Sequence, residues 1–361
     1  MSERNCARCI LAIQRPSRRW VNRVLFAIWL AMLVTLAGCA GDKSILDPAG
    51  QAARDVRFIW WVMLGFGTVV LIGVTACWLY AFKPRDVVRT PAQERRIARR
   101  WIVGGGIILP VASITALLAF GVPAGQRMLP LPISDPPDVI EVIGHQWWFE
   151  VRYLQAQGSD QEGNNVVVTA NHLVMPVGEP VDFHVSGADV IHGFWIPRLG
   201  GKIDMIPGRV NKIRLEADIP AVFGAQCAEL CGVGHANMHL YVEAMPREEF
   251  DTWLASRQDE QLSEAATADT AHDDAREAFL NHCASCHRVA GVSSGTIGPD
   301  LSDIGSRATL GAGVIAMEEG AVSRWLKHHQ SLKPGNKMPA HDDLEMDTLD
   351  ALGAWLETLT P

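Results

Sequence analysis

The sequence predicts a membrane hairpin of two helices, then a small all-β domain, then a small all-α domain. Three observations carry this reading. Two long runs, 58–82 and 101–126, contain no charged residue. Between about 138 and 250 the apolar residues fall into short alternating segments bounded by Gly, Pro and Asn. Beyond a polar stretch at 256–272 the pattern turns helical. The 361 residues suffice for two or three folded units. At 48% hydrophobic and 20% charged, with a mean hydropathy of +0.09, the chain is more apolar than an ordinary soluble protein. A net charge of −8 leaves no basic footprint for nucleic acid, and no such partner is expected.

Taken in order, residues 1–38 hold a basic stretch (Arg15, Arg18, Arg19, Arg23) that leads into an uncharged run over 24–41, the plan of a signal peptide. The ending L-A-G-C at 36–39 resembles a bacterial lipobox. That resemblance implies that 1–38 is a lipoprotein-type signal peptide, that Cys39 carries the lipid, and that Cys6 and Cys9 leave with the signal. An uncleaved signal anchor with a chance cysteine is the alternative. Residues 39–56 follow as a short periplasmic segment. The spans 57–82 and 101–126, at about 1.5 Å per residue, each exceed the roughly 30 Å of hydrocarbon and are expected to be transmembrane helices. Between them the loop 83–100 carries seven Lys and Arg against Asp86 and Glu94, which makes it cytoplasmic and everything after 126 periplasmic. Cys77 is expected to be a packed apolar thiol inside the first span.

Residues 127–255 leave the membrane through Pro130, Pro132, Pro136 and Pro137. They then read as a small antiparallel sandwich or barrel, with strands such as 181–185 and 240–242. Within it lies C-A-E-L-C-G-V-G-H-A-N-M over 227–238, with His192 upstream. Two thiols, two imidazoles and a thioether form a donor set that copper prefers. Thioether sulfur argues against zinc, and a Cys227–Cys231 disulfide is the structural alternative.

This pattern, C-x-E-x-C-x-x-x-H-x-x-M plus the upstream His, resembles the binuclear CuA site of cytochrome c oxidase subunit II. The resemblance runs over 45–250 and implies a cupredoxin-like Greek-key barrel behind the hairpin. It implies that Cys227 and Cys231 bridge two coppers, that His192 and His235 each cap one, and that Met238 and the Glu229 backbone carbonyl are weak ligands. The Glu229 carboxylate would reach a magnesium ion at the boundary with subunit I. G-H-Q-W-W-F over 144–149 resembles the aromatic patch of the family, which makes Trp147 the residue that receives electrons. Trp148 and Phe149 are expected to pack the sheet, and His145, His172, His184 and His239 to be ordinary polar or core residues. Two features depart from the family pattern. Only Glu94 lies near the start of the second span, so no proton-path glutamate is assigned there. Arg198 stands where many relatives carry an acid, which alters the rim that attracts a soluble cytochrome.

The polar, acidic stretch 256–272 reads as a flexible linker that keeps the last domain close by effective concentration. Beyond it, C-A-S-C-H over 283–287 is the attachment sequence of a c-type haem, with Cys283 and Cys286 for the vinyl groups and His287 for iron. A redox dithiol or half a zinc site is the alternative. Residues 273–361 resemble a small class I cytochrome c. On that resemblance Met338 is the second axial ligand, and the Pro299 carbonyl accepts the bond that orients His287. Met317 and Met346 are expected to pack, and His282, His328, His329 and His341 to be solvated. This domain holds 13 acidic and 7 basic residues, so no Lys-rich patch steers it.

Together the resemblances imply subunit II of a haem-copper cytochrome c oxidase with a fused cytochrome c domain in the bacterial inner membrane. Electrons from an external cytochrome c or other donor would pass through the covalent haem, Trp147 and CuA to haem in subunit I. There oxygen is reduced and protons are pumped, with subunit III as a further partner. The alternatives are the electron-input subunit of a related nitric oxide reductase and, from another class, a membrane-anchored copper-delivery protein. A quinol-oxidising subunit II has no need of a thiolate copper site.

Overall fold

The apolar run at 58–82 folds as part of helix α1 (Gln51–Ala81), which starts earlier because Ala49 and Ala53 bury against the β-domain. The computed structural model describes residues 22–23, 26–27, 40–83, 89–154, 166–267 and 270–361. The expectations for Cys6, Cys9 and Cys39, and for nearly all of the signal peptide, fall outside the described residues. Residues 42–361 form one compact unit.

The second long helix begins at Pro91, ten residues before the apolar span. Helix α2 (Pro91–Val103) continues through a π-turn, Gly104–Ile108, into α3 (Leu109–Gln126). Its start is fixed by a reciprocal cap: Gln93 N donates to Thr90 Oγ1 at 3.4 Å, and Thr90 N donates to Gln93 Oε1 at 3.0 Å. The cationic stretch 91–100, expected as loop, is therefore the polar first turns of this helix. Both long helices are apolar enough to cross a membrane, and their most apolar windows are unburied. Cys77 lies on the outer surface of α1 rather than inside a packed core. At the base of the hairpin Arg54 pairs with Asp218, and Arg127 with Asp55 at 2.7 Å, which anchors the helices to each other and to the β-domain.

Ten strands form two five-stranded sheets. One runs β3 (Val167–Ala170), β2 (Trp148–Tyr153), β1 (Asp138–His145), β5 (Pro180–Gly187), β8 (Asn211–Glu216). The other runs β4 (His172–Pro176), β10 (His239–Met245), β9 (Ala221–Cys227), β6 (His192–Trp195), β7 (Ile203–Met205). The sandwich is mixed rather than purely antiparallel, since β1 pairs parallel to β5 and β10 parallel to β4. These are crossovers between strands distant in sequence, which local alternation does not reveal. Between the sheets lie Phe149, Phe183, Phe194, Phe223, Met175 and Met205, all fully buried.

The β-domain ends in α4 (Arg247–Ala255). The segment read as a flexible linker contains α5 (Asp259–Thr267), which buries Leu262 and Ala266. Helices α6 (Asp273–His282), α7 (Ala321–Leu332) and α8 (Met346–Thr358) enclose the last core, where Phe279 meets Trp355 edge-on with ring centroids 5.3 Å apart. Met317 packs against this core as expected, whereas Met346 is 56% exposed at the start of α8.

Candidate functional site

Antiparallel pairing of β6 with β9 sets Phe194 opposite Cys227, which brings His192, the first residue of β6, beside the end of β9. The chain then loops through Cys231 and His235 and is closed where Cys227 N donates to Met238 O at 3.0 Å. Five side chains converge. Cys227 Sγ lies 3.7 Å from Cys231 Sγ and 4.0 Å from His192 Nδ1, and Cys231 Sγ lies 3.7 Å from His235 Nδ1 and 3.9 Å from Met238 Sδ. The Glu229 carbonyl oxygen is 3.1 Å from Cys227 Sγ. All six residues of the sequence motif are thus together, and the cysteines are free thiols, not a disulfide.

The charge balance tests whether metal fits this set. Burial opposes ionisation of Cys227, yet His192, the backbone at Glu229 and Gly193, and His235 together hold its thiol well below the usual range. Burial and then the Cys227 charge push Cys231 in the opposite direction. One thiolate thus forbids the second unless a cation sits between them. Separations of 3.7–4.0 Å are also ones that metal–ligand bonds of about 2.0–2.3 Å span. The donor set therefore fits copper, with two thiolates, two imidazoles and a thioether. The Glu229 carboxylate points elsewhere, to Lys202 Nζ at 3.5 Å.

A residue absent from the sequence reading organises this cluster. Asp189 Oδ1 lies 2.8 Å from His192 Nε2 and also accepts from Val190 N, while Oδ2 accepts from Gln146 N at 2.8 Å and meets Lys337 Nζ at 3.4 Å. The D-V-I-H spacing over 189–192 is its only sequence trace. Trp147 occupies the two-residue turn between β1 and β2 and is only 7% exposed. Its Nε1–H donates to Cys231 O at 3.1 Å, and Gln146 Nε2 donates to the same oxygen at 2.8 Å. Gly234 must be glycine, because a Cβ there would run into the indole.

The C-terminal domain holds a cavity of about 320 Å³. Cys283, Cys286, His287, Pro299 and Met338 all line it, as a covalently held haem requires. His287 Nδ1 lies 2.8 Å from Pro299 O, which fixes the ring, and a Cβ on Gly298 would collide with that ring. Burial lowers the His287 pKa and so favours the neutral imidazole, the form that can ligate a metal. Met338 sits between α7 and α8, where its N–H donates to Asn336 Oδ1 at 3.1 Å and its carbonyl accepts from Gln330 Nε2 at 2.6 Å.

The cavity's remaining wall belongs to the β-domain: His145, Gln146, Trp147, Trp148, Asn171 and Asp189 line it. His145 and Trp148 are therefore more than packing residues. They stack with centroids 4.3 Å apart, and His145 Nε2 lies 3.1 Å from Glu150. Phe149 is core, as expected. The two domains touch directly, with His239 N donating to Ala312 O at 3.0 Å and Arg257 Nε meeting Asp303 at 3.1 Å.

Two further expectations change. Arg198 is not a rim residue: it pairs with Asp47 at 3.0 Å and lies over the Phe223 ring. His329 is buried rather than solvated, bonded to Asn336 Oδ1 at 3.2 Å, and His341 is half-buried with its ring centroid 5.5 Å from that of His329.

Comparison with known proteins matches residues 138–245 to the periplasmic domain of cytochrome c oxidase subunit II and residues 273–360 to cytochrome c. The chain is 32% identical to cytochrome c oxidase subunit 2 of Alkalihalophilus pseudofirmus over 94% of this chain and 98% of that one. It is 29% identical to the subunit 2 of a Bacillus species, again over 94% and 98%. The solved periplasmic domain of subunit II of the cytochrome oxidase of Bradyrhizobium japonicum is 32% identical, with 35% of this chain and 95% of that one covered and a TM-score of 0.30. The first domain implies CuA copper and the second implies haem. Likeness over nearly the whole length of its relatives makes this chain a member of the cytochrome c oxidase subunit II family, a membrane-anchored electron-transfer subunit that carries its own cytochrome c domain and associates with subunit I.

Proposed function

We propose that this chain takes electrons from an external donor and delivers them, through a covalently held haem c and a binuclear copper centre, to haem in subunit I of an inner-membrane oxidase. The oxygen-reducing site and the proton pump lie in that partner, with subunit III alongside. The hairpin is a two-pass anchor with both ends outside, Cys39 carries lipid, and Glu229 contributes its carboxylate to magnesium where subunit I docks.

The observation that carries the reading is the shared wall: a cavity lined by Cys283, Cys286, His287 and Met338 is closed on one side by Trp147, whose indole bonds the Cys231 carbonyl. When bound, haem and the copper pair would supply reversible one-electron chemistry. The residues hold and orient. Cys283, Cys286, His287, steered by the Pro299 carbonyl, and Met338, held by Asn336, would hold the haem. Cys227, Cys231, His192, His235 and Met238 would hold the copper, with Asp189 keeping His192 in place. Trp147 and Trp148 exclude water from the space between.

Purification from membranes tests this. The expected result is co-purification with a haem-copper subunit, two coppers and one covalent haem per chain, and a near-infrared copper band that bleaches after the haem is photoreduced. One exchangeable copper and no haem would identify a copper-delivery protein instead.

A further inference from the structure

Between the haem cavity and Trp147 lies a buried lysine with no signature in the sequence. Lys333 is 4% exposed, and among the described residues it forms no ion pair. Its Nζ donates to Trp147 O at 2.6 Å, across the domain boundary, and to Gly311 O at 2.7 Å on its own side. Its backbone is equally fixed. Lys333 N donates to His329 O at 2.9 Å at the end of α7, and Asn336 Nδ2 donates to Lys333 O at 2.8 Å. The same Asn336 accepts the N–H of Met338 through Oδ1.

One short chain of bonds therefore runs from the Met338 loop through Asn336 and Lys333 to the Trp147 carbonyl, and from the Trp147 indole to Cys231. A buried amino group is costly and persists only where its donors are used. Here they join the two domains at the place where the two candidate centres approach.

We propose that Lys333 is a positioning residue for electron transfer between the cytochrome domain and the copper domain, holding the Met338 loop and the Gly311 wall in fixed register on Trp147. The inference rests on the function proposed above. In the step it serves, one electron leaves the reduced haem and arrives at the oxidised copper pair, and Lys333 itself is neither oxidised nor reduced. This differs from a tethered encounter, because the register is set by a buried bond and not by linker length.

The test is flash photoreduction of haem c in the purified oxidase, followed by copper reduction in the near-infrared. In Lys333→Met, loss of the two donor contacts should slow haem-to-copper transfer about ten- to hundredfold. The haem spectrum, haem potential and copper content should remain those of the wild type. Lys212→Met, on the exposed face of β8 and outside the cavity, should transfer within about twofold of wild type. A wild-type rate in Lys333→Met, or equal slowing in both variants, would overturn the proposal.

A measurement that needs no variant stands beside it. Acetic anhydride labelling of the intact oxidase, read by peptide mass spectrometry, should modify Lys337 and spare Lys333; equal labelling would show that the contact is open and the proposal wrong. A wild-type enzyme without haem, or without any haem-to-copper transfer, would instead remove the functional reading itself.

Discussion

The indole N–H of Trp147 donates to the carbonyl oxygen of Cys231 at 3.1 Å, so the ring that closes the haem cavity is bonded to the backbone of a candidate copper ligand. At 7% exposure Trp147 lies beneath the chain's own cytochrome domain, which on the proposed function directs an external donor to that domain.

Replacing Trp147 with Phe keeps most of the packing and removes this bond. Because Gln146 still satisfies the Cys231 oxygen at 2.8 Å, the stability cost should be no more than about 1 kcal/mol. Haem-to-copper transfer, followed by flash photoreduction, should nonetheless slow. Unchanged transfer would show that the route avoids the indole.

Asp189→Asn should leave the fold intact and weaken copper binding. The carboxylate is the partner of His192 Nε2 at 2.8 Å, and loss of such a partner lowers metal affinity about 10- to 100-fold. Copper titration of the purified variant measures this directly. Retention of full affinity would mean that the β6 backbone alone aims the imidazole.

The order of the domains, the two long helices and both sets of candidate ligands were legible because each is a local pattern: uncharged runs, C-x-E-x-C-x-x-x-H-x-x-M, C-x-x-C-H. What escaped depended on distant partners. Arg198 reads as a surface charge until Asp47 and Phe223 are brought to it. Residues 256–272 look like linker because Leu262 and Ala266 are too few to signal a buried face. Asp189 left only the D-V-I-H spacing, and Lys333 left no local signal, since its role exists only once two domains meet.

Thiol counting tests the cysteine assignments. On the proposed function Cys227, Cys231, Cys283 and Cys286 would be committed to copper and haem and Cys39 to lipid, which leaves Cys77 as the thiol that can react. The expected value is at most about one thiol per chain of the intact, loaded protein in detergent, and chelation of copper should add two. A higher starting value would break the assignments.

Acid should loosen the contact between the domains. Asp303 is fully buried, and although burial opposes its charge, Arg307 at 2.6 Å and Arg257 at 3.1 Å hold its pKa below the ordinary 3.8. A depressed carboxylate contributes stability that is complete above 3.8 and is lost as pH falls through the lower folded value. The cytochrome domain should therefore hold its melting temperature from neutrality to about pH 4 and lose it below that point. Arg257→Ala leaves the carboxylate with Arg307 alone, which should cost about 3 kcal/mol at neutral pH and move the acid transition upward. Calorimetry of the two proteins across pH checks both statements. An acid transition in the variant at or below that of the wild type would show that Arg257 adds nothing to the charged form of Asp303.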